Sequence, residues 1–377
     1  MGKKVTDNRN ALRVAVIGGG TFGTSIAAEI GKDHEVILFE KNSELLQEGT
    51  FVNCFRHHRG YHYPRSNETV LEVQQATVAF EELYLESIVD NYKTYYALVN
   101  EGSYTTQADY LKFCDKHGLP YKIVDVPKDT FDSQKMALCI EVEEPSYHYE
   151  TLKALIEKRL TSSKNIEVLL NAKVIDMVIT SDGKKRLTFE KNSNQKVDEF
   201  DVVINATYAN INQFSAPLNF PLHPVRIDLV EEIIVQAERP PVSLTVIDGP
   251  FTTVITTGNP NEFVAVHAKV SIFDRYVSED GLPRKTGKIL SRAKETLAAC
   301  AQDVPFLNKA KITSTRIVHR AVRANREDDD TRASDVISHG HNCYSVLSGK
   351  IITCVSIGRH FRKVVNDFYD QQTASTK

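Results

Sequence analysis

The sequence predicts a mixed α/β and α+β fold, in which a parallel-sheet domain assembled from discontinuous segments is interrupted twice by a domain built on an antiparallel sheet. Three observations predict it. Short, nearly continuous apolar runs next to helical patterns recur at the start, middle and end of the chain, as buried parallel strands require. Residues 225–270 carry runs such as "LVEEIIVQA" and "FTTVITTG" that alternate or mix apolar and polar side chains, the pattern of an antiparallel sheet with one exposed face. The length, 377 residues, is enough for two domains.

The first unit is the most informative. Residues 14–17 form an apolar run that enters Gly18-Gly19-Gly20-Thr21-Phe22-Gly23, a GxGxxG sequence. A helical pattern with Ile26, Ala27 and Ile30 on one face follows, and "EVILFE" reads as a second strand ending at Glu40. Gly18 allows the tight turn, Gly20 lets backbone N–H groups approach a pyrophosphate, and Gly23 lets the helix sit close to the strand. Glu40, 20 residues past Gly20, is placed to accept hydrogen bonds from ribose hydroxyls and to repel a 2′-phosphate. Strand, glycine turn, helix and acid together predict a Rossmann-type dinucleotide-binding unit. The motif does not by itself separate NAD from FAD.

Further along, residues 70–98 read as largely helical, with a tyrosine-rich strand segment after them, and 108–119 as a short helix stopped by Gly118 and Pro120. A helix from Thr151, a strand from Ile166 and a hairpin around Ser181-Asp182-Gly183 come next, then the apolar strand "DVVINAT". Residues 285–301 return to helix. The chain closes on a strand, a glycine turn and an amphipathic helix carrying Ile351, Ile352, Val355, Val364, Val365 and Phe368. This order assigns residues 1–69, 146–215 and 325–377 to the nucleotide domain, and 70–145 and 216–324 to a substrate domain. NAD dehydrogenases more often complete their nucleotide domain in one piece, so the interruption points to FAD.

Composition narrows the partners. A net charge of −3 and a pI near 6.5 argue against a general nucleic-acid or polyanion binder. The first ten residues lack the apolar core of a secretory signal, and no window approaches the ~20 apolar residues of a membrane span. Six scattered cysteines without CxxC spacing read as reduced thiols of a cytoplasmic protein, with no metal site.

Against that background the stretch "FRHHRGYHYPRS", residues 55–66, stands out: three arginines, three histidines and two tyrosines in twelve positions. A basic surface or a polar loop is the plain reading. In a flavin enzyme the same groups would supply an anion partner, a proton acceptor and donors near the reacting carbon.

These motifs resemble the D-amino-acid-oxidase-like (DAO) family of FAD-dependent oxidoreductases, which includes glycine oxidase, sarcosine oxidase and the L-2-hydroxyglutarate oxidases. "VIGGGTFGTSIAAEI" with Glu40 resembles its FAD pyrophosphate and ribose site. "NCFRHHRGYHYPRS" is similar to the flavin-facing segment of L-2-hydroxyglutarate oxidases at Asn53, His58, Gly60, Tyr63, Pro64 and Ser66. "DVVINATYAN" and the preceding helix and strand resemble the middle FAD segment, where the residue at Val174 meets the adenine through its backbone. "HRAVRANREDDDTRASDVI" and "YSVLSGKIITCVSIG" resemble the terminal substrate-arginine region and the glycine turn, at Gly349, facing the flavin pyrimidine. Two positions depart from the family: Tyr208 stands where glycine is usual, and the terminal turn is poorer in glycine.

The resemblance implies an FAD enzyme that transfers a hydride from a CH–OH or CH–NH carbon of a small, carboxylate-bearing substrate to flavin, with oxygen, a quinone or a carrier as acceptor. His58 and Tyr63 are then expected to face flavin or substrate, with His62 a second candidate base. Arg56 or Arg65 would partner an anion and Lys350 would meet the flavin edge. Arg323 and Arg320 compete for the substrate carboxylate, with Arg226 a weaker third; "REDDD" at 326–330 reads as a solvated turn. An NAD-dependent dehydrogenase, a flavin monooxygenase and a non-catalytic polyanion binder are the alternatives.

Overall fold

The computed structural model describes residues 11–285, 287–326 and 331–375. The expectations for the first ten residues and for the acidic run 327–330 lie outside them. The chain begins with β1 (Arg13–Ile17), α1 (Thr21–Ile30) and β2 (Glu35–Phe39). Every residue of α1 is buried, because the helix is covered on its outer side by the carboxy-terminal helix. There Gly358 is needed, since a Cβ would stand 2.8 Å from the Ser25 carbonyl oxygen.

Next comes α2 (Asn67–Tyr84), capped by Ser66, whose Oγ accepts from the Thr69 N–H at 3.3 Å. The helix stops at Tyr84, which corrects the helical reading of 70–98: β3 (Ile88–Val89) and β4 (Lys93–Val99) follow. "TYYALV" suits a sheet better than a helix, because aromatic and branched side chains pack on a pleated surface. The middle of the chain supplies α3 (Gln107–Lys116), β5 (Tyr121–Ile123), β6 (Met136–Val142), β7 (Ser146–Tyr147) and α4 (Tyr149–Thr161). It continues with β8 (Ile166–Leu169), β9 (Ala172–Ile179), β10 (Lys185–Lys191), β11 (Asn194–Phe200), β12 (Val202–Asn205) and a short α5 (Ser215–Leu218). Then come β13 (Val225–Gln236), β14 (Val242–Ile247), β15 (Thr252–Thr256), β16 (Glu262–His267) and β17 (Ile272–Val277). The chain ends with α6 (Ala293–Asp303), β18 (Lys311–Arg323), β19 (Asp335–Ser338), β20 (Cys343–Leu347) and α7 (Cys354–Ser375). The predicted helix from 285 thus begins only at Ala293.

Two large sheets organise these elements. The first, in the order β19-β20-β12-β1-β2-β8, is parallel except at β19 and draws on three separate stretches of chain. The second has nine strands, with β17, β13, β16, β15, β14, β4, β6 and β5 in order and β18 added on β13. It is not purely antiparallel, because β14 and β4 run parallel.

Nor does it have an exposed face along β13 and β14, which are buried almost throughout. Ile234 and Val264 pack on one side with Phe55 and Tyr147, while Ile233, Val235 and Leu244 pack on the other with Cys300 and Ala301 of α6. Each such aliphatic side chain contributes roughly 1.5–3 kcal/mol on burial. The sandwich arrangement holds the 51–63 segment between the two sheets' cores.

Candidate active site

The glycine turn ends β1 and opens α1. Gly18 has φ +109°, a conformation that favours glycine, and a Cβ there would stand 2.6 Å from the Ala206 carbonyl oxygen. At Gly23 a Cβ would lie 1.8 Å from the Gly18 carbonyl oxygen, so turn and helix close on each other. Gly20 differs. A Cβ there would meet only Thr50 Oγ1 at 3.6 Å, so the protein's own packing does not require glycine. Gly20 begins α1 without a side-chain cap, leaving the helix start to another group. An anion approaching the backbone explains both features, and a dinucleotide pyrophosphate fits. Thr21, next in the turn, is buried and bonded to Thr50, with Oγ atoms 2.8 Å apart, and Phe22 is buried beside it. Glu40 is buried at the end of β2; Oε2 accepts from the Gly19 N–H at 2.7 Å and Oε1 from the Asn42 N–H at 2.8 Å. Those bonds hold its carboxylate beside the turn, where each oxygen has a further lone pair to offer.

The dense segment enters the space under the nine-stranded sheet. Arg56 is its hub. Its Nη1 donates to His62 Nδ1 at 2.8 Å and to the Tyr96 hydroxyl at 2.6 Å, and Nη2 donates to Thr245 Oγ1 at 2.6 Å. Its Nε lies 3.4 Å from the Glu144 carboxylate, which also accepts from the Tyr96 hydroxyl and, at 2.9 Å, from the Arg59 N–H. A guanidinium has no acceptor, so His62 Nδ1 must be unprotonated and its proton sits on Nε2. Burial, then Arg56 and Lys350, keep the His62 imidazole well below its ordinary range. His62 is therefore a neutral donor through Nε2.

His58 is the contrasting ring. Its Nδ1 is buried with no hydrogen-bond partner among the described residues. Burial, Lys350 and Arg56 lower it well below the ordinary histidine range. Tyr63, 5.5 Å from it between ring centroids, is buried and carries Lys350 Nζ 4.5 Å above its ring. Thus His58, His62, Tyr63 and Lys350 are brought together, although Lys350 comes from the far end of the chain. His57, by contrast, bonds Glu81 at 2.9 Å and packs on Phe80, a structural role. Tyr61 also packs, its hydroxyl donating to the Pro120 carbonyl at 2.5 Å. Asn53 Oδ1 accepts from the Phe55 N–H at 3.0 Å and the Tyr147 hydroxyl at 3.3 Å.

The predicted anion-binding arginines already hold protein carboxylates. Arg65 forks onto Asp248 at 2.6 and 3.0 Å. Arg323 bonds Asp335 through Nε at 2.7 Å and through Nη2, and Glu68 through Nη1 at 2.8 Å. Its fork is thus occupied, which tells against the sequence expectation that it leads the substrate arginines. Arg320 reaches Asp228 at 3.0 Å, and Arg226 and Arg275 reach the same fully buried carboxylate at 3.1 and 2.9 Å. Burial opposes ionisation there, yet Arg320, Arg275 and Arg226 hold the Asp228 carboxyl down to about 2. Three guanidiniums on one carboxylate leave a local excess of positive charge.

Of the remaining expected residues, Val174 is buried on β9 among Phe39, Phe189 and Phe200. Gly349 lies against residues 332–334, where a Cβ would stand 2.4 Å from the Arg332 carbonyl oxygen. Tyr208, where the resemblance leads one to expect glycine, has φ +55°, the left-handed region that favours glycine. Sequence reasoning missed Tyr96, Glu144, Thr245 and Glu232. They sit on β4, before β7, on β14 and on β13, and no local pattern marks them. Among the described residues no cluster of three or more His, Cys, Asp or Glu is gathered to hold a metal, and no helix is long and apolar enough to cross a membrane.

Known proteins share this architecture. The chain is similar in fold to glycine oxidase from Geobacillus kaustophilus, with a TM-score of 0.73 at 15% identity over 94% of this chain and 95% of that one. It is also similar to NikD, an unusual amino acid oxidase essential for nikkomycin biosynthesis, with a TM-score of 0.74 at 12% identity over 95% of this chain and 94% of that one. In sequence it is 30% identical over 290 residues to the FAD-dependent monooxygenase kojA of Aspergillus flavus, covering 70% of this chain and 64% of that protein. The family model for FAD dependent oxidoreductases of the DAO type matches residues 13–325. With the glycine turn, the acid at the end of β2 and the interleaved sheets, that match makes this chain a member of the DAO family of FAD-dependent oxidoreductases.

Proposed function

We propose that the protein oxidises a CH–OH or CH–NH carbon of a small, anionic, carboxylate-bearing compound. In this reading the first sheet carries FAD, with Gly18, Gly20 and Gly23 at the pyrophosphate, Glu40 at the ribose and Gly349 at the ring edge. The nine-stranded sheet covers the substrate. FAD, when bound, supplies the acceptor for the hydride. The chain's own residues do the rest: Lys350 and Arg320 attract the anion, His62 donates a hydrogen bond through Nε2, and His58 takes the proton released from the substrate heteroatom. The single observation that carries the reading is the pairing, beside one lysine, of two half-buried neutral imidazoles that differ in the hydrogen bond at Nδ1. His62 is fixed as a donor by Arg56 at 2.8 Å, while His58 Nδ1 has no partner among the described residues. The segment's resemblance to the L-2-hydroxyglutarate oxidases supports the alcohol branch.

The test is the visible spectrum of the purified protein under anaerobic addition of 2-hydroxy acids and their amino counterparts. Bleaching by either set supports the reading. A flavin that neither set bleaches defeats it. The name of kojA, a monooxygenase, motivates a second reading, in which a reduced nicotinamide bleaches the flavin and oxygen then enters the substrate. Rapid bleaching by NADPH alone would favour it.

A further inference from the structure

The buried face of β13 holds a carboxyl that this chemistry leaves unassigned. Glu232 is 6% exposed. Its Oε1 lies 4.0 Å from Cys54 Sγ, and its Oε2 is buried with no partner among the described residues. Arg316 of β18 is its cross-strand neighbour, the arrangement of an ion pair. Instead the Arg316 guanidinium lies 3.8 Å above the Phe51 ring and donates to the Phe51 carbonyl at 3.3 Å. Among the described residues no cation pairs with Glu232. A buried carboxylate would draw so near a guanidinium to itself, whereas a neutral carboxyl exerts no such pull. Burial pushes the Glu232 carboxyl up to about 7, with Arg316 and Arg320 pulling the other way. The other titratable groups facing it are Cys54 from the loop and Tyr147 from β7.

Its place in the fold is informative. Two residues on, Ile234 packs with Phe55 and Tyr147, so this side of β13 lies over residues 53–55, where the dense segment begins. We infer that Glu232 presents a neutral carboxyl to the ligand beside Cys54 and donates a hydrogen bond to a hydroxyl or carbonyl oxygen, so that the site takes C–OH compounds in preference to ammonium compounds. This rests on the proposed oxidation and chooses between its two branches. An ammonium would meet a donor instead of an acceptor, and it would lie in the field of Arg56, Arg320 and Lys350 that also acts on Cys54.

Difference infrared spectra of the holoprotein, wild type minus Glu232→Gln, read this directly through the carbonyl stretch of a protonated carboxyl. The band is expected at pH 6, fading as pH rises through about 7, and shifting when glycolate is added but not when glycine is. In calorimetric titration the affinity for glycolate should fall about tenfold between pH 6 and pH 8 in the wild type, the size of one lost hydrogen bond, and stay flat in the variant. A band absent at pH 6, or one that glycolate leaves in place, overturns the inference. Should the variant fold poorly, the band's pH midpoint and its response to glycolate are read on the wild type with carboxyl-labelled glutamate. The band does not depend on flavin reduction, so failure here is distinct from failure to bleach.

Discussion

The glycine turn at Gly18–Gly23 and the dense segment at residues 55–66 were both conspicuous in the sequence, yet they are built in opposite ways. In the turn, the interactions that define the motif are mostly local: Glu40 accepts from the Gly19 N–H and Gly23 packs on Gly18, while Gly18 reaches across to Ala206 and Thr21 to Thr50. In the dense segment they come from elsewhere. Arg56 bonds Tyr96 and Thr245, which are 40 and 189 residues away in sequence. A motif whose partners are local can be read with its geometry; a cluster whose partners are distant can only be read as composition. The difference also separates residues that shape the chain from those proposed to meet a ligand, and four perturbations sharpen or break it.

The largest effect is expected at the distant network. Arg56→Ala leaves the Glu144 carboxylate, fully buried in its side chain, without its cation. That should cost about 3–5 kcal/mol in chemical denaturation, and adding Glu144→Gln should restore part of it. A loss below about 1 kcal/mol, the value of an exposed pair, would break the comparison.

Gly23→Ala comes next. With a Cβ 1.8 Å from the Gly18 carbonyl oxygen, turn and helix must separate, at a cost of about 3 kcal/mol in denaturant unfolding and with loss of FAD.

Acid should reveal the neutral imidazoles of the segment. His57 is lowered to about 4 by burial, and His58 and His62 lie well below the ordinary value. Just below pH ~6.5 the unfolded chain therefore binds protons that the folded chain refuses, so stability falls as pH drops. Each histidine adds a slope of about 1.4 kcal/mol per pH unit until its folded form titrates. Urea unfolding between pH 7.5 and 5 should show His62→Gln with a shallower slope than wild type. Equal slopes would mean that His62 is protonated in the fold.

The smallest stability effect belongs to Gly20→Ala. The added Cβ meets only Thr50 Oγ1 at 3.6 Å, so stability should stay within about 0.5 kcal/mol of wild type, as for an uncrowded substitution. FAD content, read from the visible spectrum, should nonetheless drop. A variant that keeps its flavin would remove the pyrophosphate from this glycine. Gly20 and Gly23 look alike in the motif, and only the space around them separates the proposed ligand contact from a packing contact.

Much of the architecture was legible in the sequence. The β1–α1–β2 unit, the strand at β12 and the terminal strand, turn and helix carry their own signals, because apolar periodicity and glycine placement act over a few residues. The family resemblance rested on those signals and extended them to the cofactor. Residues 85–98 were misread because a helical period from α2 was carried into "TYYALV", where packing in a sheet outweighs helix propensity. The covered faces of β13 and β14 were misread because strand alternation reports one neighbouring layer, and here segment 51–63 lies on one side and α6 on the other.

The sequence by itself determined the local chemistry: a turn that can hold a pyrophosphate, an acid after the second strand, and a run rich in histidine and arginine. Only the tertiary structure decided what each charge does. Arg323 and Arg320 read alike in "HRAVRA", yet one is clasped by Asp335 and Glu68 and the other shares Asp228 with two more arginines. His58 and His62 read alike too, and a single guanidinium makes one of them a fixed donor. The physical reason is range. Backbone conformation is set by neighbours in sequence, whereas the state of a buried charge is set by whatever the fold brings within a few ångströms.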